Sequence, residues 1–370
     1  MFSPFERQRL LEEMGEGPPS RFMEVCGTHT VAIARSGLKK LLPPTVSLIS
    51  GPGCPVCVTD QQDIDTAIAL AWEEGALLAT FGDMARVPGT NGSLAQAKAE
   101  GADVRILYSP FEALRLANEN PGREVVFLSV GFETTAPLIA AVVKEAARLE
   151  RRNLSFLVLL KLLPPVMKAL LGDLPVMAGS DLSLPATRAR PSLDGFLMPG
   201  HVCAILGVEP FRFLGERYRL PGVVAGFEAD DILLALWMLQ RQRRQGRAEM
   251  EIAYHRVVRE EGNRTAQRLM EEVFQPVEAR WRGIGAVPRS GLALRQAYSA
   301  YSARIRFPLQ VEPAPDPPGC ACGEVLCGLL SPPQCPLFGH ACTPQSPVGP
   351  CMVSSEGPCA ASYRYERISR

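Results

Sequence analysis

Apolar residues along this chain come in short strand-forming runs, each followed by a polar, glycine-rich turn and then by a segment with helical spacing. A polar helical lead-in over 5–14 and a Gly/Pro break precede a strand at 22–25, which delivers Cys26-Gly27-Thr28-His29-Thr30 into a loop. A helix over 31–42 stops at Pro43-Pro44, and 46–49 is the next strand, leading into Gly51-Pro52-Gly53-Cys54-Pro55-Val56-Cys57-Val58-Thr59. The following helix is well signed: Thr59 or Asp60 can cap it, Ile64, Ala67, Ile68 and Ala71 fall on one face, and Gly75 ends it. A strand at 77–81 delivers Gly82-Asp83-Met84-Ala85-Arg86-Val87-Pro88-Gly89, and a strand at 104–108 meets the capping-box residues Ser109-Pro110-Phe111-Glu112.

The pattern restarts after Pro121-Gly122. A strand at 125–130 runs into Gly131-Phe132-Glu133-Thr134-Thr135-Ala136-Pro137 and a helix to about 149, with further strands at 156–160, 195–198 and 223–225. The last two lead into Pro199-Gly200-His201-Val202-Cys203 and Gly226-Phe227-Glu228-Ala229-Asp230-Asp231. Gly-Phe-Glu thus closes a strand twice, which fits one architecture used twice. The expected fold class is α/β: two small parallel-sheet domains facing a cleft, their functional loops gathered at the carboxyl edges of the strands. The loops at Cys26, Cys54 and Asp83 should therefore converge. Residues 249–303 read as helical with loops, and 313–319 as a stiff proline-rich linker. The expected division is 1–120, 121–240, and a helical and cysteine-rich region over 241–370.

Length and charge narrow the function. A chain of 370 residues has room for two ordinary cores and an appendage. With 39 basic and 39 acidic side chains it has no overall electrostatic pull toward nucleic acid or membrane. The one basic run, Arg241, Arg243, Arg244 and Arg247, sits at a helix end and reads as a solvated terminus. No signal peptide or membrane span is visible in the pattern, so the cytoplasm is the expected compartment. The phosphate-cradling pattern G-x4-G-K-[ST] is absent.

Cysteine placement changes the picture most. Seven of the eleven cysteines fall between Cys320 and Cys359, spaced C-x-C-x4-C-x7-C-x6-C-x8-C-x7-C, in a proline-rich tail with little apolar periodicity. Such a tail needs a staple. Structural zinc normally shows repeated C-x2-C or C-x4-C knuckles, which favours an iron-sulfur cluster held by widely spaced thiolates over zinc or spectator cysteines. Cys54 and Cys57 lie three apart on a stiff loop before a helix, where amides stabilise a thiolate, and read as a redox pair or metal site rather than buried apolar thiols. Cys26 and His29 form a plausible ligand pair at a strand end. Cys203 reads as packing, and His201 as facing the cleft. Asp83, Glu133 and Glu228 suit either acid/base chemistry or helix capping.

These motifs, with Phe22-Met23-Glu24-Val25 before Cys26 and the tail Cys351-Met352-Val353-Ser354-Ser355-Glu356-Gly357-Pro358-Cys359, resemble the hydrogenase maturation factor HypD family over nearly the whole chain. The resemblance implies two α/β domains and a third carrying a [4Fe-4S] cluster. It implies a scaffold that, with a HypC-type chaperone, holds the iron on which the Fe(CN)2CO group of [NiFe]-hydrogenase is assembled, with cyanide from a HypE-type partner. Cys26 matches the family cysteine that holds this iron, His29 shares its motif, and Cys54 and Cys57 match the pair that binds or electronically services it. Cys322, Cys335, Cys342, Cys351 and Cys359 occupy motif positions, one more than a cubane requires, while Cys320 and Cys327 lie outside the motif. Cys203 stands where relatives are expected to carry a small hydroxyl residue. A cluster-linked thiol/disulfide oxidoreductase acting on other proteins is the alternative.

Overall fold

The computed structural model describes residues 2–172 and 191–366. Helix α1 (Pro4–Gly15) is followed by β1 (Ser20–Glu24), α2 (Gly27–Ser36), β2 (Val46–Ser50), α3 (Gln61–Ala71), β3 (Ala76–Phe81), β4 (Val104–Leu107) and α4 (Phe111–Glu119). Next come β5 (Glu124–Gly131), α5 (Ala136–Arg148), β6 (Leu154–Leu160) and α6 (Leu163–Leu170). Beyond residue 190 lie β7 (Gly195–Pro199), α7 (Gly200–Leu206), β8 (Gly222–Ala225), α8 (Ala229–Arg244), β9 (Met250–Ile252) and α9 (Arg264–Val273). A hairpin of β10 (Phe274–Trp281) and β11 (Gly285–Leu294) precedes the short tail helices α10 (Cys322–Leu326), α11 (Pro350–Val353) and α12 (Pro358–Tyr365).

Two parallel sheets carry the α/β architecture: a five-stranded sheet in the order β2-β1-β7-β8-β9 and a four-stranded one in the order β4-β3-β5-β6. The first draws its strands from both sides of the second, so the sheets do not follow the expected contiguous division at residue 120. Burial explains the interleaving. Phe22 and Met23 point to opposite faces of β1 and both are fully buried, which is the signature of a central strand. Such a strand needs a partner on each edge. Beside β2, it takes β7, with Met23 opposite Phe196.

The segment expected to be helical with loops over 249–303 holds helix α9, but also strand β9 and an antiparallel hairpin that the sequence pattern does not predict. Its strand β10 is buried only at its ends, Phe274 and Trp281, while Gln275, Pro276 and Glu278 face out, and a bulge between Val277 and Ala279 breaks the period-two alternation that would have marked it as a strand. Gly283 turns the hairpin with φ of +73°, a conformation costly for other residues. The face of the five-stranded sheet carrying Phe22 packs on Met14, Ile33 and Leu236. The other, carrying Met23 and Val25, packs in one cluster with Cys54, Cys57, Phe132, Trp281, Cys322 and Cys351. Among the described residues no helix is long and apolar enough to cross a membrane.

Candidate functional site

Strand β1 ends at Glu24, and Cys26 becomes the N-cap of α2, which begins at Gly27 rather than at residue 31. The backbone amides of His29 and Thr28 favour the Cys26 thiolate, although its sulfur makes no capping hydrogen bond. The electropositive helix end expected for Cys54 and Cys57 therefore belongs to Cys26. It is outweighed there: burial pushes the Cys26 thiol up to about 12, and the nearby carboxylates Glu356 and Glu24 push the same way. Glu24 fixes the cap from beneath, one carboxyl oxygen accepting the Cys26 amide at 3.0 Å and the other the Thr30 hydroxyl at 2.5 Å. Burial raises this carboxyl to about 7.

His29 lies in the first turn of α2, not in a loop, and its ring turns away from a ligand arrangement with Cys26. Its Nε2 donates to the Gly226 carbonyl at 2.9 Å, the ring lies 4.9 Å from that of Phe227, and Nδ1 has no partner. Burial pulls the imidazole down to about 4, which keeps it neutral. Phe227 also stacks on His201, at 3.9 Å between centroids.

Cys54 and Cys57 form a disulfide across a tight turn, with Cα atoms 5.2 Å apart and the Cys57 N–H donating to the Cys54 sulfur at 3.2 Å. In this state neither sulfur is a thiolate, so neither is a metal donor. The loop is seated on Cys26: a Cβ at Gly53 would stand 2.1 Å from the Cys26 nitrogen, and the Gly27 N–H donates to the Gly53 carbonyl at 2.9 Å. Asp60, not Thr59, caps α3.

The tail closes the arrangement. Thr28 donates to Glu356 at 2.7 Å, the Ser355 N–H donates to Asp83 at 3.0 Å, and Arg86 donates to the Val353 carbonyl at 3.0 Å. The loops at Cys26, Cys54 and Asp83 thus meet, with the tail turn as the joint. Cys203 is fully buried in the same apolar cluster as Cys54 and Cys57. Glu133 caps a helix that is not its own, accepting the Leu163 N–H at 2.8 Å, and burial pushes its carboxyl up to about 7. Glu228 takes part in the capping box of α8.

Behind this turn six cysteines, Cys320, Cys322, Cys335, Cys342, Cys351 and Cys359, line a single cavity completed by Phe338, Gly349 and Met352. Cys320, outside the family motif, joins the five motif cysteines there. Cys327 is turned toward the Gly283 carbonyl. Among the described residues no three His, Cys, Asp or Glu side chains are arranged to hold a single metal ion. The thiols instead surround a shared space whose lining offers sulfur and apolar carbon but no carboxylate or ammonium. Soft donors without hard competitors suit a thiolate-held cluster. A Cβ at Gly349 would come within 2.7 Å of the Cys320 sulfur, so glycine keeps that wall open. Cys322 is held well below the usual thiol range, first by hydrogen bonding from Cys320 and Cys351 and also by the charge of Arg282.

Two residues of this architecture escape the pattern of the sequence. Glu24 could be suspected as a charged residue at the end of an apolar strand. Arg282, in the turn Trp281-Arg282-Gly283, carries no signal of its burial.

The fold and site define a cysteine-rich α/β protein whose thiols are gathered in two connected places, a strand-end pair of loops and a tail cavity. Residues 6–366 match the family model HypD, described as "Hydrogenase formation hypA family". The chain is 45% identical over 354 residues to hydrogenase maturation factor HypD2 of Bradyrhizobium diazoefficiens, covering 95% of this chain and 90% of that one. It is 46% identical over 361 residues to the hydrogenase expression/formation protein HupD of Azotobacter chroococcum, covering 97% and 93%. With hydrogenase maturation factor HypD of Escherichia coli it shares 43% over 350 residues, covering 94% and 90%. The chain belongs to the HypD family.

Proposed function

We propose that this protein is a hydrogenase maturation scaffold on which iron is held through thiolates while its cyanide and carbonyl ligands are added. Cys26 holds the iron together with a cysteine of a HypC-type chaperone, and a HypE-type partner delivers cyanide. The observation that carries this reading is the seat of Cys26. It stands at the N-cap of a helix whose first amides favour its thiolate, beneath a turn of the tail and against the Cys54–Cys57 loop. Binding a cation there removes the cost of a buried thiolate, because the metal replaces the proton that burial otherwise retains. Low-spin iron carrying cyanide and CO is soft, and sulfur suits it.

The tail cavity fits a [4Fe-4S] cluster held by four of its six thiols, which would supply or accept electrons for the Cys54–Cys57 pair. This chain's own part is to keep that pair fixed against the Cys26 cap and to exclude water from all three cysteines. Anaerobic purification with a HypC-type partner, followed by iron and sulfide analysis and visible and infrared spectra, tests the reading. Cyanide and CO bands should accompany the wild-type complex and vanish with Cys26→Ala while the visible cluster absorption persists. Bands that survive the substitution would remove Cys26 from the iron site. The observed disulfide also favours an oxidoreductase reading, and Cys54-dependent turnover of a disulfide substrate without any HypC-type partner would select it.

A further inference from the structure

Arg282 is 2% exposed, yet it touches neither Cys26 nor the cavity thiols by hydrogen bond. It stands at the tip of the β10–β11 hairpin, and its polar contacts reach both the segment after the disulfide turn and the linker before the cysteine tail. Its backbone N–H donates to the Val58 carbonyl at 3.0 Å, directly after the disulfide turn. Its guanidinium donates to the Thr59 carbonyl and to the Gln61 side chain, each at 3.0 Å, and pairs with Asp316 in the linker before the cysteine tail. The next residue, Gly283, lies flush on Gly323, where a Cβ would come within 2.1 Å of the Gly323 Cα, and Gly323 adjoins Cys322. A buried guanidinium is expensive unless paired. Here the expense is met by the oxygens of Thr59 and Gln61 after the disulfide turn and by the Asp316 carboxylate before the tail.

We propose that Arg282 is a positioning residue that clamps the Cys54–Cys57 loop to the thiol cavity and, through the Arg282–Asp316 charge pair, sets the reduction potential of the group the cavity holds. This rests on the reading of the cavity as a cluster site. The two charges act with opposite sign. Removing the guanidinium leaves the Asp316 carboxylate, which feels the charge of the cavity residue Cys322, unbalanced, and this disfavours an added electron. Removing the carboxylate leaves the guanidinium unbalanced, which favours it. A merely structural role has no means of producing opposite shifts.

The test is a spectroelectrochemical titration of the full-length, cluster-loaded protein in the wild type, Arg282→Gln, Arg282→Lys and Asp316→Asn. The midpoint should move negative in Arg282→Gln and positive in Asp316→Asn, each by on the order of tenfold in the reduced-to-oxidised ratio, or about 59 mV for one electron. Arg282→Lys should restore the potential but not the loop. The clamp is read separately, without the cluster, as the rate at which a small phosphine reduces the Cys54–Cys57 disulfide, followed by mass. That rate should rise in Arg282→Gln and Arg282→Lys and stay at the wild-type value in Asp316→Asn. Shifts of one sign in both charge variants, or no shift, overturn the electrostatic role. An unchanged reduction rate in Arg282→Gln overturns the clamp. A wild-type protein that takes up no cluster overturns the cavity reading and the potential-setting role with it, while the phosphine rates still decide the clamp. Should Arg282→Gln fail to fold, a positive shift in Asp316→Asn with none in Arg282→Lys supports the electrostatic role and any other outcome overturns it, while an unchanged reduction rate in Arg282→Lys overturns the clamp.

Discussion

The backbone of Gly53 rests directly on that of Cys26: a Cβ at position 53 would lie 2.1 Å from the Cys26 nitrogen and 2.5 Å from its Cα. Both neighbours are main chain, so neither can yield by rotating a side chain. Two loops from different strand ends are thereby joined at a single point, and the glycine is what allows it.

Gly53→Ala should separate them. Overpacking of this kind costs about 1–3 kcal/mol, to be read as a lower midpoint in chemical denaturation. Lifting the loop should also raise the rate of Cys26 alkylation, measured by mass after a timed iodoacetamide pulse. A variant with wild-type midpoint and wild-type alkylation would show that the contact relaxes without consequence.

Glu133 should give the fold a falling stability with rising pH. Its carboxyl goes from an ordinary 4.5 to about 7 in the folded state because burial disfavours its charge. The folded chain therefore holds a proton that the unfolded chain releases, and the associated stability is present at low pH and lost as pH rises from 4.5 through 7. Glu133→Gln keeps an oxygen for the Leu163 amide and should remove this dependence, with a gain of ~3 kcal/mol at pH 8 relative to pH 4. His29 works in the opposite sense, its contribution being lost as pH falls from 6.5 toward 4, so the difference between variant and wild type is the quantity to follow. Parallel pH profiles for the two proteins would contradict the assignment.

Glu356 should slow the chemistry of Cys26. After burial, its negative charge is the largest influence raising the Cys26 thiol, and it also accepts the Thr28 hydroxyl. Glu356→Gln keeps the hydrogen bond and removes the charge. Alkylation of Cys26 at pH 8 should become roughly two- to tenfold faster, with Cys26→Ala as the blank. Equal rates would mean that burial alone governs the thiol.

Gly349→Ala should close the thiol cavity on one side. The added methyl would stand 2.7 Å from the Cys320 sulfur and 3.6 Å from the Cys322 Cβ. Iron and sulfide uptake on anaerobic reconstitution should fall well below the wild-type value while far-ultraviolet circular dichroism is unchanged. Full uptake would place the occupied space away from this wall.

The legible part of this structure was whatever repeats locally. Strand 46–49 and the helix after Asp60 are read from periodicity and capping, and both are found within a residue or two. The Cys26 and Cys54 loops converge because β1 and β2 are parallel neighbours ending on one edge, whereas the Asp83 loop leaves the other sheet and meets them only through the tail turn at Ser355 and Glu356. What periodicity could not convey was partnership across the chain. That β1 pairs with β7, placing 195–225 in the same sheet as 20–50, depends on which edges remain open after every helix has packed. The hairpin at 274–294 hid behind Pro276 and a charged residue at 278, both tolerable because that face is exposed. For His29, spacing from Cys26 suggested a shared ligand, but starting the helix at Gly27 turns the ring toward Gly226.

The interleaved sheet also has a consequence in time. As a nascent chain is made at about 5–20 residues per second, β1, α2 and the Cys54 loop are complete long before Gly195, the residue that pairs with Phe22, has been joined. For some seconds β1 has only one flank paired, and Cys26, Cys54 and Cys57 lie outside any finished core. The turn at Glu356 that covers Cys26 comes later still. These three cysteines are therefore most open to oxidants and to helper proteins during synthesis, and the cover over Cys26 is among the last parts of the chain to be made.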